Sequence, residues 1–197
     1  MHHPPDTLHA RKRRKARATI VSAAFQLFAE HGFDNVTVAA IAERAEVGRT
    51  TFFRYFGDKQ QVLFADDGAE VDRMCAYVLD KADRPLGGDL GAALTLLREA
   101  AVATRPYAAL SPAHSAVLVR LLRESVDLRS RYLLTRQQRA FRLAGALTEA
   151  GADENTAVLA GHAAMACELT AMRLAEGPEL FPTHVDEAYG MLHTLGN

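Results

Sequence analysis

Tryptophan is missing from this 197-residue chain, and only 7% of its residues are aromatic. Cysteine is nearly missing too. Cys75 and Cys167 stand far apart and form no C-x-x-C pair, so neither a disulfide framework nor a zinc site is supported. No apolar run approaches the ~18–20 residues that cross a bilayer. The N-terminus, MHHPPDTLHARKRRKAR, is basic but has no apolar stretch behind it, so it does not read as a secretory signal. Alternating strand patterns are almost absent; HGFDNVTV comes closest and is short. There is no G-x-S-x-G, no H-E-x-x-H, no P-loop and no dinucleotide fingerprint, and no acidic or histidine cluster at metal spacing. The expectation is a cytoplasmic protein with two ordinary thiols, no cofactor and no catalytic apparatus.

What is present is helical spacing and a lopsided charge. The net charge is −1, yet residues 1–59 carry ten basic and six acidic side chains, while residues 60–197 carry thirteen and eighteen. That division fits a polyanion-binding head on a mildly acidic body, and equally a solvated basic tail. Ile20, Ala23, Ala24, Leu27 and Phe28 recur at helical spacing and form one stripe, stopped by Gly32. Thr37 can cap a short helix over 38–45. Gly48 or Arg49 opens another through Tyr55, and Asp58 with Gln61 forms a capping-box-like start for a long helix to about Lys81. Beyond the break DRPLGG, helices are expected over 89–104, 111–124 (opened by Ser111 and Pro112), 127–150, 155–176 and 183–195. The reading is an all-α fold of about nine helices, with residues 1–10 disordered, 11–57 a helix-turn-helix domain and 58–197 a helical domain.

One segment, VGRTTFFRYFGDK (Val47 to Lys59), concentrates rings and cations. Two short helices joined by a tight turn describe a helix-turn-helix. At ~100° per residue, Phe52 and Phe56 share the face that would pack on Ile41, Ala45 and the first helix. Arg49, Thr50, Phe53 and Arg54 fall on the opposite side, with Thr51 and Tyr55 on a flank. Isolated helices below ~12–15 residues are marginal in water, so half of the rings serve as anchors. The other half, with the cations, present a surface. Arginine can grip guanine bidentately, and threonine or an aromatic edge can meet a thymine methyl. Tyr55 and Lys59 suit phosphates, which set register without reading sequence. By periodicity alone, an ordinary helical hairpin with a solvated face remains open.

FDNVTVAAIAERAEVGRTTFFRYFGDKQQVLFA resembles the DNA-binding domain of the TetR family of bacterial transcriptional regulators, which typically reads T-x-x-x-I-A-x-x-A-G-V-S-x-x-T-L-Y-x-Y-F-x-x-K. Thr37, Ile41, Ala42, Ala45, Val47, Thr51, Tyr55, Phe56 and Lys59 match in register. Three positions depart from it. Glu46 stands where the family has its turn glycine, Gly48 replaces a serine cap, and Phe53 replaces the usual tyrosine. The resemblance implies that Thr37, Tyr55 and Lys59 meet phosphates and that Arg49, Thr50, Thr51 and Phe53 meet base edges. It leaves RKRRK (residues 11–15) along the DNA backbone, in the adjoining minor groove, or as a solubilising arm.

For the body, the resemblance implies a domain that receives a small ligand, and two last helices that form a four-helix bundle with a second copy. Ala157, Ala160, Ala164, Cys167 and Ala171 give one helix a small-residue face that admits a close neighbour, in the partner or in the same subunit. Pocket candidates are Met74, Tyr107, His114, Phe141, His162 and Met165, each of which sets a polar tip or a soft group among apolar neighbours. The expected function is sequence-specific binding of double-stranded, palindromic DNA by a homodimer. The expected mode is repression relieved by a small, largely apolar effector. The alternatives are a TetR-like activator, a ligand-independent DNA-binding protein, or a helical module that binds a ligand or partner without reading DNA.

Overall fold

Helix boundaries in this chain follow its capping residues. In the computed structural model, which describes residues 8–65, 67–104, 112–174 and 181–195, Thr37 accepts a hydrogen bond from the Ala40 N–H at 3.1 Å. Asp58 likewise accepts from the Gln61 N–H at 2.7 Å, and the Gln61 side-chain oxygen accepts from the Gly57 N–H at 2.9 Å. These pairings satisfy backbone donors that a helix start leaves without partners. Among the described residues there are ten helices: α1 (Leu8–His31), α2 (Val38–Arg44), α3 (Arg49–Tyr55), α4 (Lys59–Leu63), α5 (Asp67–Lys81), α6 (Leu90–Thr104), α7 (Pro112–Glu124), α8 (Val126–Glu149), α9 (Glu154–Leu174) and α10 (Phe181–Leu195). The chain is all-α, as the periodicity predicts; one isolated bridge, Gly87 to Ala152, is its only sheet-like pairing among the described residues.

Two differences from the sequence reading stand out. The helix expected to run from Lys59 to Lys81 is two helices, α4 and α5. The two pieces serve different cores: Val62 and Leu63 are buried in a first unit that ends at Ala65, whereas Val71, Met74 and Val78 belong to the core of a second unit, 66–197. At the other end, α1 begins at Leu8. Ser111, the expected cap of α7, lies outside the described residues.

The first unit is built on α1. Ile20, Ala23, Ala24, Leu27 and Phe28 are buried as expected, and Val21 and Phe25 join them. α1 therefore buries more than one stripe, because α2 and α4 both pack on it.

In the second unit, α8 and α9 form the central pair, with α5 and α7 packed on α8, and α6 and α10 packed on α9. Ala157, Ala160, Ala164, Cys167 and Ala171 all point into this core. The small-residue face therefore lets helices of the same subunit come close. A Cβ on Gly161 would lie 2.6 Å from the Ala140 carbonyl oxygen, which shows how tightly α8 and α9 approach. The DRPLGG segment is docked rather than loose. Gly87 N–H donates to Gly151 O and Asp153 N–H donates to Gly87 O, each at 2.8 Å, and Leu86 is buried.

Candidate nucleic-acid interface

α2, its turn and α3 are the candidate site. The turn is a Schellman motif: Glu46 N–H donates to Glu43 O at 3.0 Å, and Val47 N–H reaches Ala42 O at 2.9 Å. This geometry requires a left-handed residue at Glu46, and its φ is 53°. The departure from glycine leaves the turn intact, with a glutamate held where L-residues are uncommon. Gly48 has extended backbone and caps α3 without a side-chain bond.

α3 sorts its side chains as its period predicts. Phe52 and Phe56 are buried, at 0% and 2% exposure, whereas Phe53 is 50% exposed. Arg49, Thr50 and Arg54 are exposed beside it, and Thr51 and Tyr55 are half-buried. The Phe53 ring stands edge-on to Phe52 at 5.5 Å, and the Arg54 guanidinium lies 5.2 Å from the Tyr55 ring centroid. Thr37 is exposed at the start of α2. Its oxygen accepts the cap bond, and the hydroxyl proton stays available for an acceptor.

Three basic residues of this unit have partners inside it. Arg44 pairs with Glu30 through two bonds of 3.2 and 3.1 Å, tying α2 to α1. That hydrogen bond, with the charges of Arg44 and His31, holds the Glu30 carboxyl below its ordinary pKa. Arg17 donates to the Ala65 carbonyl and lies 5.3 Å from the Phe56 ring centroid. Lys59, expected on a phosphate, donates to the carbonyls of Phe33 and Val36 at 2.8 and 2.9 Å. None of these pairings is local in sequence, so no spacing signal announces them. Lys12, Arg13 and Lys15, from the basic run, are exposed on α1.

The described pocket candidates lie in different places. Met74 and Met165 are buried in the core of the second unit. The Met74 sulfur accepts from Arg139 at 2.9 Å. Phe141 and His162 lie on the outer surface, their rings edge-on at 5.3 Å. His162 borders an open depression of about 540 Å³ with Glu154, Asn155, Val158 and Leu159. His114 is half-buried, and burial pushes its imidazole pKa down. Tyr107 lies outside the described residues. Phe141 and His162 face outward next to the buried Ala140 and Gly161.

Residues 20–65 match the family model for bacterial regulatory proteins of the tetR family. That segment is similar to the DNA-binding domain of the TetR family. The HTH-type transcriptional regulator TcmR of Streptomyces glaucescens is 36% identical over 80 residues, which are 41% of this chain and 34% of that protein. The HTH-type transcriptional repressor KstR of Mycolicibacterium smegmatis is 34% identical over 77 residues, 39% of this chain and 36% of that protein. The match thus spans about a third of each of these relatives. A TetR-family structure from Streptomyces coelicolor aligns with 92% of this chain and 98% of its own, at a TM-score of 0.52 and 21% identity. Another from Syntrophomonas wolfei aligns with 92% and 96%, at 0.55 and 18%. At such identities the likeness shows the fold: a TetR-type helix-turn-helix unit followed by a helical domain.

Proposed function

We propose that this chain is a sequence-specific DNA-binding transcriptional regulator of the TetR family. It acts as a homodimer, and as a repressor released from its operator by a small, largely apolar effector. The observation that carries the reading is the sorting of α3. Its two buried rings anchor a seven-residue helix, while Arg49, Thr50 and Phe53 stand exposed together. A mixed face of this kind suits base edges, whereas a backbone-only binder needs cations alone. In this reading Arg49, Thr50, Thr51 and Phe53 meet bases, and Thr37, Tyr55 and Lys59 meet phosphates.

A single helix-turn-helix contacts few base pairs, so two copies should sit ~34–36 Å apart on successive major grooves. The outer faces of α8 and α9 support the dimer. Leu134, Phe141, Val158 and Leu159 are large and exposed there, an apolar area that a second copy would cover. The effector would act through the second unit by binding the DNA-free conformation more tightly, with coupling of typically ~1–3 kcal/mol. No described helix is long and apolar enough to cross a membrane, and a cytoplasmic setting goes with this role.

Selection of bound sites from random duplexes tests the reading. A near-palindromic site is expected, and Arg49→Ala should relax base preference at ~1–3 kcal/mol per lost bidentate contact. No enrichment over random sequence would sink it.

A further inference from the structure

Tyr189, on α10, is 2% exposed, and its hydroxyl has no hydrogen-bond partner among the described residues. Such orphans are uncommon in folded cores, because a polar group taken from water without a new partner opposes folding. A second orphan belongs to the same core. Arg139, on α8, is 3% exposed and directs its Nη2 at three acceptors: Glu70 Oε1, Glu168 Oε1 and the Met74 sulfur. Its Nε–H has no acceptor among the described residues. Both orphans border Glu168: Arg139 pairs with it, and its charge and that of Arg139 act on the Tyr189 hydroxyl. Burial, with the charges of Glu168 and Cys167, pushes the Tyr189 pKa up, so the hydroxyl stays a protonated donor.

Two buried donors want acceptors, and the surrounding charge gives their sign. Among the described residues, the guanidiniums of Arg139, Arg136 and Arg73 act on Glu70, and Glu168 is the second carboxylate paired with them. The neighbouring pair of Arg142 with Asp72 is neutral as a whole. Three cations against two anions leave room for one more negative charge. A carboxylate brings one charge and two acceptor oxygens, one for each donor. The rest of the core is apolar, with Met74, Leu143, Ala171 and Val185 in it. We propose that the second unit binds a monocarboxylate with an apolar body, whose carboxylate accepts from Arg139 Nε and Tyr189 Oη. The anionic end narrows the effector described above, and only its effect on DNA rests on that reading.

Calorimetry of the full chain at neutral pH tests the site, with decanoate and naphthalene-2-carboxylate each set against its primary amide. A carboxylate should bind ~10-fold or more tighter than its amide, and Tyr189→Phe should remove most of that margin. Equal affinity for acid and amide overturns the proposal, and so does a failure of both carboxylates to bind at millimolar concentration. An undiminished margin in Tyr189→Phe overturns it as well. Deleting an orphaned hydroxyl should leave the ligand-free variant melting at or above the wild type. A variant that melts several degrees lower, or does not fold, shows that the hydroxyl already has a partner such as a buried water, and overturns the proposal. A carboxylate that binds through Tyr189 but leaves affinity for selected DNA unchanged supports the site and removes the effector reading. Absence of carboxylate binding overturns the site and leaves that reading open to another ligand.

Discussion

Glu46 and Gly151 occupy the same position in two copies of one motif. Gly151 N–H donates to Thr148 O and Ala152 N–H to Leu147 O, the bond pattern seen around Glu46. Gly151 has φ 85°, and a Cβ there would meet Pro85 at 3.0 Å. Around Glu46 the side chain is exposed, so only backbone strain opposes it. Glu46→Gly should relieve that strain at some entropic cost, for a net gain of ~0.5–1 kcal/mol. Thermal unfolding checks this, and Glu46→Gln separates charge from strain: it should leave stability unchanged yet strengthen DNA binding by removing a negative charge beside α3. Phe53 argues in the same way from exposure. Its ring would meet a thymine methyl, so Phe53→Ala should lose affinity mainly on sites with thymine at that contact, and uracil there should mimic the loss. Phe53→Tyr should bind as well or better, by up to ~1 kcal/mol for a net hydrogen bond. A Phe53→Ala protein that melts several degrees lower and binds normally would place the ring in the core.

Among elements, α5, α8 and α9 are joined by buried charge. Arg139 is 3% exposed and pairs with Glu70 of α5 and Glu168 of α9, each at 3.1 Å. Arg136 pairs with the other Glu168 oxygen at 2.9 Å. Burial alone would raise the Glu70 carboxyl, but the charge and hydrogen bond of Arg139, with the charges of Arg136 and Arg73, hold it below its ordinary pKa. A carboxyl lowered on folding contributes stability above its unfolded pKa of ~4.3, and loses it as pH falls through the folded value. Glu70→Gln should therefore melt below the wild type at neutral pH, and the gap should close in acid. Melting curves across pH 2–7, a range of roughly two units to either side of that pKa, check this. A gap that persists at the acid end counts against the pairing. The contact of α8 with α9 is tested by Gly161→Ala, whose methyl would be forced against the Ala140 carbonyl; overpacking of this kind costs typically ~1–3 kcal/mol.

At the scale of the molecule, the outer face of α8 and α9 bears on assembly. Phe141 and Leu159 are each 55% exposed, so aspartate at either should leave the stability of the single chain within ~0.5 kcal/mol. In a dimer it would bury an unpaired charge. Phase-by-phase sedimentation of the wild type and Phe141→Asp should show dimer and monomer respectively, with operator affinity falling in the variant. A wild type that sediments as monomer at micromolar concentration removes the dimer.

Much of this was legible in the residues themselves. Caps and helical period mark nearly every helix, because both are local: Thr37 reaches Ala40, and Asp58 reaches Gln61. The same period separates Phe52 and Phe56 from Phe53, since a short helix has one face against its neighbours. What spacing does not carry is the identity of distant partners. The carbonyls that hold Lys59 lie 23 to 26 residues away, and Glu30 lies 14 from Arg44. Whether a cation stands free for DNA or is held by the fold depends on which loop comes back beside it. So does the use of the alanine face on α9, which could serve a partner or its own subunit until α8 and α10 are in place. Local chemistry wrote the helices and the reading face into the sequence; only long-range packing decided which charges and which faces remained available to a partner.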